Sequence, residues 1–107
     1  MTDNSTGGMA ALLETAAGEL EPIDRNERDD WVEWGIGGVV FAAVSGDRAE
    51  FRLARPVAAA ALRTPDTAPS DRGPDWVSFA PAALDRHASD RAVAWFGSAW
   101  RRADAER

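Results

Sequence analysis

Arg91, Trp95 and Arg102 fall within one predicted helix. Guanidinium groups beside an indole are the chemistry with which proteins stack bases, engage phosphate or grip a peptide. The simpler reading is that these long amphipathic side chains cover apolar helix surface. Trp31, beside an acidic run, is a second candidate contact residue, because tryptophan is enriched at the energetic centres of interfaces. Trp34 shares a strand face with Val32 and Ile36 and reads as core.

Other chemistries fare less well. His87 lies in Leu84-Asp85-Arg86-His87-Ala88-Ser89-Asp90, where either carboxylate is in reach to orient an imidazole or join it at a metal. One histidine with two carboxylates is a thin ligand set, and the same segment serves as a polar lead-in to a helix. Gly35-Ile36-Gly37-Gly38 has the look of a phosphate-cradling loop. A dinucleotide fingerprint needs a helix after the glycines, whereas Val39, Val40 and Phe41 continue as strand, so the glycines read as a hairpin turn. Ser45, Ser78 and Ser98 lie outside any Gly-x-Ser-x-Gly elbow, and one histidine leaves little for a serine hydrolase. No catalytic residue, metal site or cofactor is expected.

Composition narrows the field further. The 107 residues contain no cysteine, which excludes disulfides, thiolate metal sites and cysteine nucleophiles. Lysine, tyrosine and glutamine are absent, and all 12 basic residues are arginine. Schiff-base, P-loop and general-base lysine roles are therefore closed. The bias towards arginine and alanine reads as the codon usage of a high-GC bacterial genome. Net charge is −6, divided as −8 over residues 1–47 and +2 over residues 48–107. The acidic excess falls mainly between Glu14 and Glu33 and reads as a solvated loop. Met1-Thr2-Asp3-Asn4-Ser5 lacks the basic and apolar regions of a secretory signal. No apolar run approaches the ~18 residues of a membrane span. The expectation is a cytoplasmic protein with no membrane partner.

The elements that must position these groups follow from periodicity. Met9, Leu12, Leu13, Ala16 and Leu20 predict an amphipathic helix over residues 7–20, capped by Ser5 or Thr6 and ended by Gly18 and Pro22. From Trp31 the period becomes two, predicting a strand to Ile36, a Gly37-Gly38 turn, and a second strand from Val39 to Val44. After Ser45-Gly46-Asp47, alternation of Ala49, Phe51 and Leu53 with Arg48, Glu50 and Arg52 predicts a third. A short alanine-rich helix from Val57 to Arg63 follows Pro56. Residues 64–75 read as an irregular loop long enough to be functional, and Trp76 to Ala80 as a fourth strand. The last helix is predicted from a Ser89 N-cap to about Asp104. Val93, Phe96, Trp100 and Ala103 form its core stripe, with Trp95 roughly 120° away. Trp76 and Phe79 also read as core.

These readings give one α+β domain over residues 1–107, with residues 1–6 and 105–107 as disordered termini. The architecture is a two-layer sandwich: an antiparallel sheet of about four strands with helices on one face, in the order α-β-β-β-α-β-α. On Gly38-Val39-Val40-Phe41-Ala42-Ala43-Val44, Ala49-Glu50-Phe51-Arg52-Leu53, Asp75-Trp76-Val77-Ser78-Phe79 and Phe96-Gly97-Ser98-Ala99-Trp100, residues 31–104 resemble the MmcQ/YjbR-like family. The last two segments are also similar to a related small domain sometimes labelled "luciferase-family". The resemblance implies a frataxin-like, double-wing fold and supplies no catalytic residue. It also implies DNA binding, although the lysine expected near the Val-Phe-Ala strand is missing and the chain is acidic, while nucleic-acid affinity rests on neutralising phosphates. The leading expectation is a non-enzymatic module that binds a protein or small ligand through a sheet face or the 64–75 loop, as a monomer or homodimer. Its contact residues would come from Trp31, Arg91, Trp95 and Arg102. Nucleic-acid binding through the arginine and tryptophan helix face is the alternative, and a metal-assisted or acid/base enzyme using His87 the third.

Overall fold

The structure, a computed structural model, describes residues 8–107. The expected Ser5 or Thr6 cap and the expected disorder of residues 1–6 lie outside them. In chain order the elements are α1 (Gly8–Ala17), β1 (Asp24–Arg28), β2 (Trp31–Ile36), β3 (Val39–Ser45), β4 (Arg48–Arg52), α2 (Arg55–Ala61), β5 (Thr67–Pro69), β6 (Trp76–Phe79) and α3 (Arg86–Ala105). The strands form one sheet in the order β1-β2-β3-β4-β6-β5, and every neighbouring pair is antiparallel.

The α+β class is as expected, but the sheet has six strands rather than about four. Both added strands lack a hydrophobic signature. All five residues of β1 are exposed, and this segment of the supposed acidic loop is held as a strand by backbone pairing with β2. A tight Asp29-Asp30 turn joins the two, with Asp29 at φ 58°. β5 is three residues within the predicted 64–75 loop, paired to β6 at the sheet edge. It ends in Pro69, a residue that edge strands tolerate.

One core joins the helices to a single face of the sheet. Met9 and Leu13 of α1, Ala58 and Ala61 of α2, and Ala92, Phe96 and Ala99 of α3 pack with Trp34, Phe41, Phe51, Val77 and Phe79. Phe96 sits edge-on to both Trp34 and Phe41, with centroids 5.3 and 5.4 Å away. Each such burial is worth roughly 1.5–3 kcal/mol. The β2–β3 hairpin supplies two of these rings. Gly37 and Gly38 have φ of 58° and 86°, as a two-residue hairpin turn requires. The register then shifts between Trp34 and Gly35, leaving Phe41 unpaired between Ala42 and Val40. The bulge leaves both Phe41 and Ala42 buried. A Cβ on Gly35 would lie 2.5 Å from the Val39 carbonyl oxygen, so only glycine permits that approach.

Helix α3 departs most from its prediction. It begins one turn early because Asp85, not Ser89, is the N-cap: its Oδ1 accepts from the Ala88 N–H at 2.9 Å. The buried stripe is Ala88, Ala92, Phe96, Ala99 and Ala103. Val93, expected in the core, is exposed. Trp100 is half-buried and donates from Nε1 to the Pro22 carbonyl at 2.8 Å. The alanines allow close approach to the sheet, and Trp95 turns inwards to meet Phe79 edge-on at 5.0 Å and Phe51 at 6.2 Å. The displaced tryptophan of the prediction is thus a packing residue.

The short helix runs from Arg55 with Pro56 in its first turn, not from Val57 to Arg63. Val77 and Phe79 are fully buried within β6, whereas Trp76 faces the other side of the sheet with Ser78, outside the core cluster. Ala105 closes α3, Glu106 accepts from Arg52 and Arg102, and the Arg107 Nε donates to Asp104 at 2.8 Å.

Candidate functional site

The sheet face opposite the helices carries the unexpected chemistry. Glu33 on β2 and Glu50 on β4 are both register partners of Ala43 on β3, so the two carboxylates stand on the same face, two strands and roughly 10 Å apart. Their side chains are only 7% and 8% exposed. Buried carboxylates need partners, because an unpaired charge in a low-dielectric site is costly.

Arg72 is that partner. The β5–β6 connection folds back on itself, with the Ser70 N–H donating to the Trp76 carbonyl and the Trp76 N–H to the Gly73 carbonyl. The Ser70 hydroxyl oxygen accepts from the Arg72 N–H at 3.1 Å. This loop delivers the guanidinium onto the sheet. Nε donates to Glu50 Oε1 at 2.7 Å, and Nη1 lies 2.9 Å from Glu33 Oε2. The planar group also lies over two indoles, 4.8 Å from the Trp31 centroid and 5.3 Å from that of Trp76. One side chain therefore joins β2, β4 and β6 through ion pairs and cation–π contacts.

Beside this cluster lies a hollow of about 320 Å³ lined by Arg28, Trp31, Arg48, Glu50, Asp71 and Arg72. Arg28 is 73% exposed and only 3.6 Å from Glu33, a loose pairing. Arg48 makes no ion pair among the described residues. The hollow thus presents at its rim Arg48, which has no ion pair among the described residues, and Arg28, loosely paired with Glu33, with an indole wall and a charged floor. Such a surface can accept a carboxylate or another planar anion bidentately and cover its apolar part with Trp31.

The four residues predicted to make contacts are not brought together. Trp31 lies in this hollow on the outer face. Trp95 is on the helix side against Phe79 and Phe51. Arg102 is consumed internally: Nη1 donates to the Leu53 carbonyl at 2.6 Å, Nη2 to Asp75 at 3.0 Å and Nε to Glu106 at 3.1 Å. Arg91 stands eleven residues from Arg102, about 16 Å along the helix axis. His87 is exposed in the first turn of α3, with Asp85 occupied as its cap. Among the described residues no group of three or more His, Asp or Glu is placed to hold a metal ion, and no helix is long and apolar enough to cross a membrane.

Sequence reasoning missed Glu33, Glu50, Arg72, Arg28, Arg48 and Trp76. The first two occupy alternate positions opposite Trp34 and Phe51, a visible signal of one shared outer face. Nothing local marks Arg72, since its role depends on where a loop folds. Compared with known proteins, the chain matches no family model, no curated protein and no solved structure.

Proposed function

We propose that the protein is a non-enzymatic binding module that takes an acidic protein segment or small carboxylate ligand on its outer sheet face, in the hollow beside Arg72. The observation that carries the proposal is the Arg72–Glu33–Glu50 cluster between Trp31 and Trp76, with Arg48 unpaired among the described residues and Arg28 only loosely paired with Glu33 at its rim. A core needs no such cluster, whereas a preorganised polar floor reduces the ordering cost of binding. Kinship with the MmcQ/YjbR-like family is part of the same proposal and rests on the hydrophobic pattern of β3, β4, β6 and α3 alone. The nucleic-acid alternative has less support, because Trp95 and Arg102 are engaged within the fold.

The test is a titration of ¹⁵N-labelled protein with citrate and with a glutamate-rich hexapeptide. Saturable shifts are expected at the Trp31 indole N–H and at Arg28, Arg48 and Arg72, lost in Trp31→Ala/Arg48→Ala. Shifts confined to α3, or tighter binding of an oligonucleotide with a steep salt dependence, would replace this reading with the alternative.

A further inference from the structure

The two edges of the sheet are finished differently. β5 is three residues long and ends in Pro69, which has no N–H to donate; it is a poor template for another strand. β1 is five residues long, contains no proline, is exposed throughout, and pairs only with β2 among the described residues. Edge strands are usually protected by charge. Here the order of the charges matters more than their presence.

Read as Asp24-Arg25-Asn26-Glu27-Arg28, the strand is charge-complementary to itself in reverse. An antiparallel copy placed about a two-fold axis at Asn26 sets Asp24 opposite Arg28 and Arg25 opposite Glu27, twice each. Directly opposed residues share a sheet face, so the pairs fall correctly. Arg25 and Glu27 partner Trp34 and Val32 on the helix side, while Asp24, Asn26 and Arg28 partner Gly35, Glu33 and Trp31 on the outer side. Moving the axis to the neighbouring residue opposes Arg25 to itself or Glu27 to itself. A parallel, in-register copy opposes every charge to its own kind. Only the Asn26 register joins opposite charges throughout.

We infer that β1 is the interface for a second copy of this chain, forming a two-fold dimer with one continuous antiparallel sheet centred on Asn26. Arg25 now contacts Glu14 at 2.6 Å and Glu27 at 2.9 Å, exposed pairs that exchange partners at little cost. In the dimer the second copy's Glu27 takes one of those places. Two five-residue strands bury less than the ~1,200 Å² of a standard interface, which places the dimer in the weak, salt-sensitive class.

Sedimentation equilibrium up to about 1 mM protein, a range suited to small interfaces, tests the inference with two complementary variants. Asp24→Arg/Glu27→Arg makes the strand cationic, and Arg25→Glu/Arg28→Glu makes it anionic. The wild-type mass should rise towards the dimer at low salt and fall as salt is added. Each variant alone should self-associate more than about tenfold more weakly, since every opposed pair becomes repulsive. An equimolar mixture should recover the dimer. A wild type that stays monomeric, variants that associate like wild type, or a mixture that fails to associate would each overturn it. Amide shifts that grow with wild-type concentration and centre on residues 24–28 provide a readout independent of variant folding; shifts centred elsewhere would also overturn it.

Discussion

Arg72 holds the outer face together at the cost of keeping two carboxylates nearly dry, and the energetics of that arrangement are asymmetric. Removing the guanidinium leaves Glu33 and Glu50 buried without their principal partner, a change that costs about 3 kcal/mol in comparable buried pairs. Replacing all three residues together by apolar side chains of similar volume removes the charges with their partner and is close to neutral in such systems. We therefore expect Arg72→Met to lower the denaturation midpoint strongly, and the triple variant Glu33→Met/Glu50→Met/Arg72→Met to restore most of it. Urea unfolding of the two proteins checks this, and equal loss in both would show that Arg72 contributes packing rather than charge compensation. Trp34 makes the opposite case. Its indole Nε1 has no hydrogen-bond partner among the described residues, so this fully buried tryptophan serves the fold by volume and by its edge contact with Phe96.

At the scale of elements, α3 and the β2–β3 hairpin show where periodicity is informative and where it falls short. The helix was legible as a helix, and Phe96 and Ala103 as members of its inner stripe. Its rotation was not. A stripe through Val93 and Trp100 and one through Ala92, Trp95 and Ala99 have similar apolar content, and the choice depends on the rings already on the sheet. Phe79 and Phe51 accept Trp95, whereas nothing on the sheet covers Val93. Val93→Ser should therefore change stability by less than ~0.5 kcal/mol, while Trp95→Ala, which vacates a ring-sized space, should cost about 3 kcal/mol. Thermal melts of the pair distinguish the two rotations. In the hairpin, Gly35→Ala forces a Cβ onto the Val39 carbonyl and should cost about 1–3 kcal/mol, as overpacking does. The hairpin itself was legible from Gly37-Gly38, but the register shift that makes Gly35 necessary belongs to the pairing of two strands.

Over the whole molecule, long-range ion pairs tie the end of the chain to the sheet. The hydrogen bond from Arg52, opposed in part by removal from water and aided by Arg102, holds the Glu106 carboxyl below its ordinary range. A carboxyl lowered in the folded state stabilises at pH above its unfolded value, and that contribution disappears as pH falls through the folded value. Wild type should then exceed Glu106→Gln in urea midpoint at neutral pH, with the gap closing below the carboxylate range; a gap that persists in acid would mean a packing role. Arg25, raised by its hydrogen bonds to Glu14 and Glu27, remains charged throughout and adds no pH dependence in that range. The sequence by itself determined the α+β class, the central three-stranded run, the glycine turn and most of the aromatic core, because burial imposes periods of two and near four on apolar residues. The tertiary structure alone decided the two polar edge strands, the facing of Trp76 and Trp95, and the union of Glu33, Glu50 and Arg72. Those depend on backbone pairing and on contacts between residues as much as 44 positions apart, and neither leaves a local pattern in a chain.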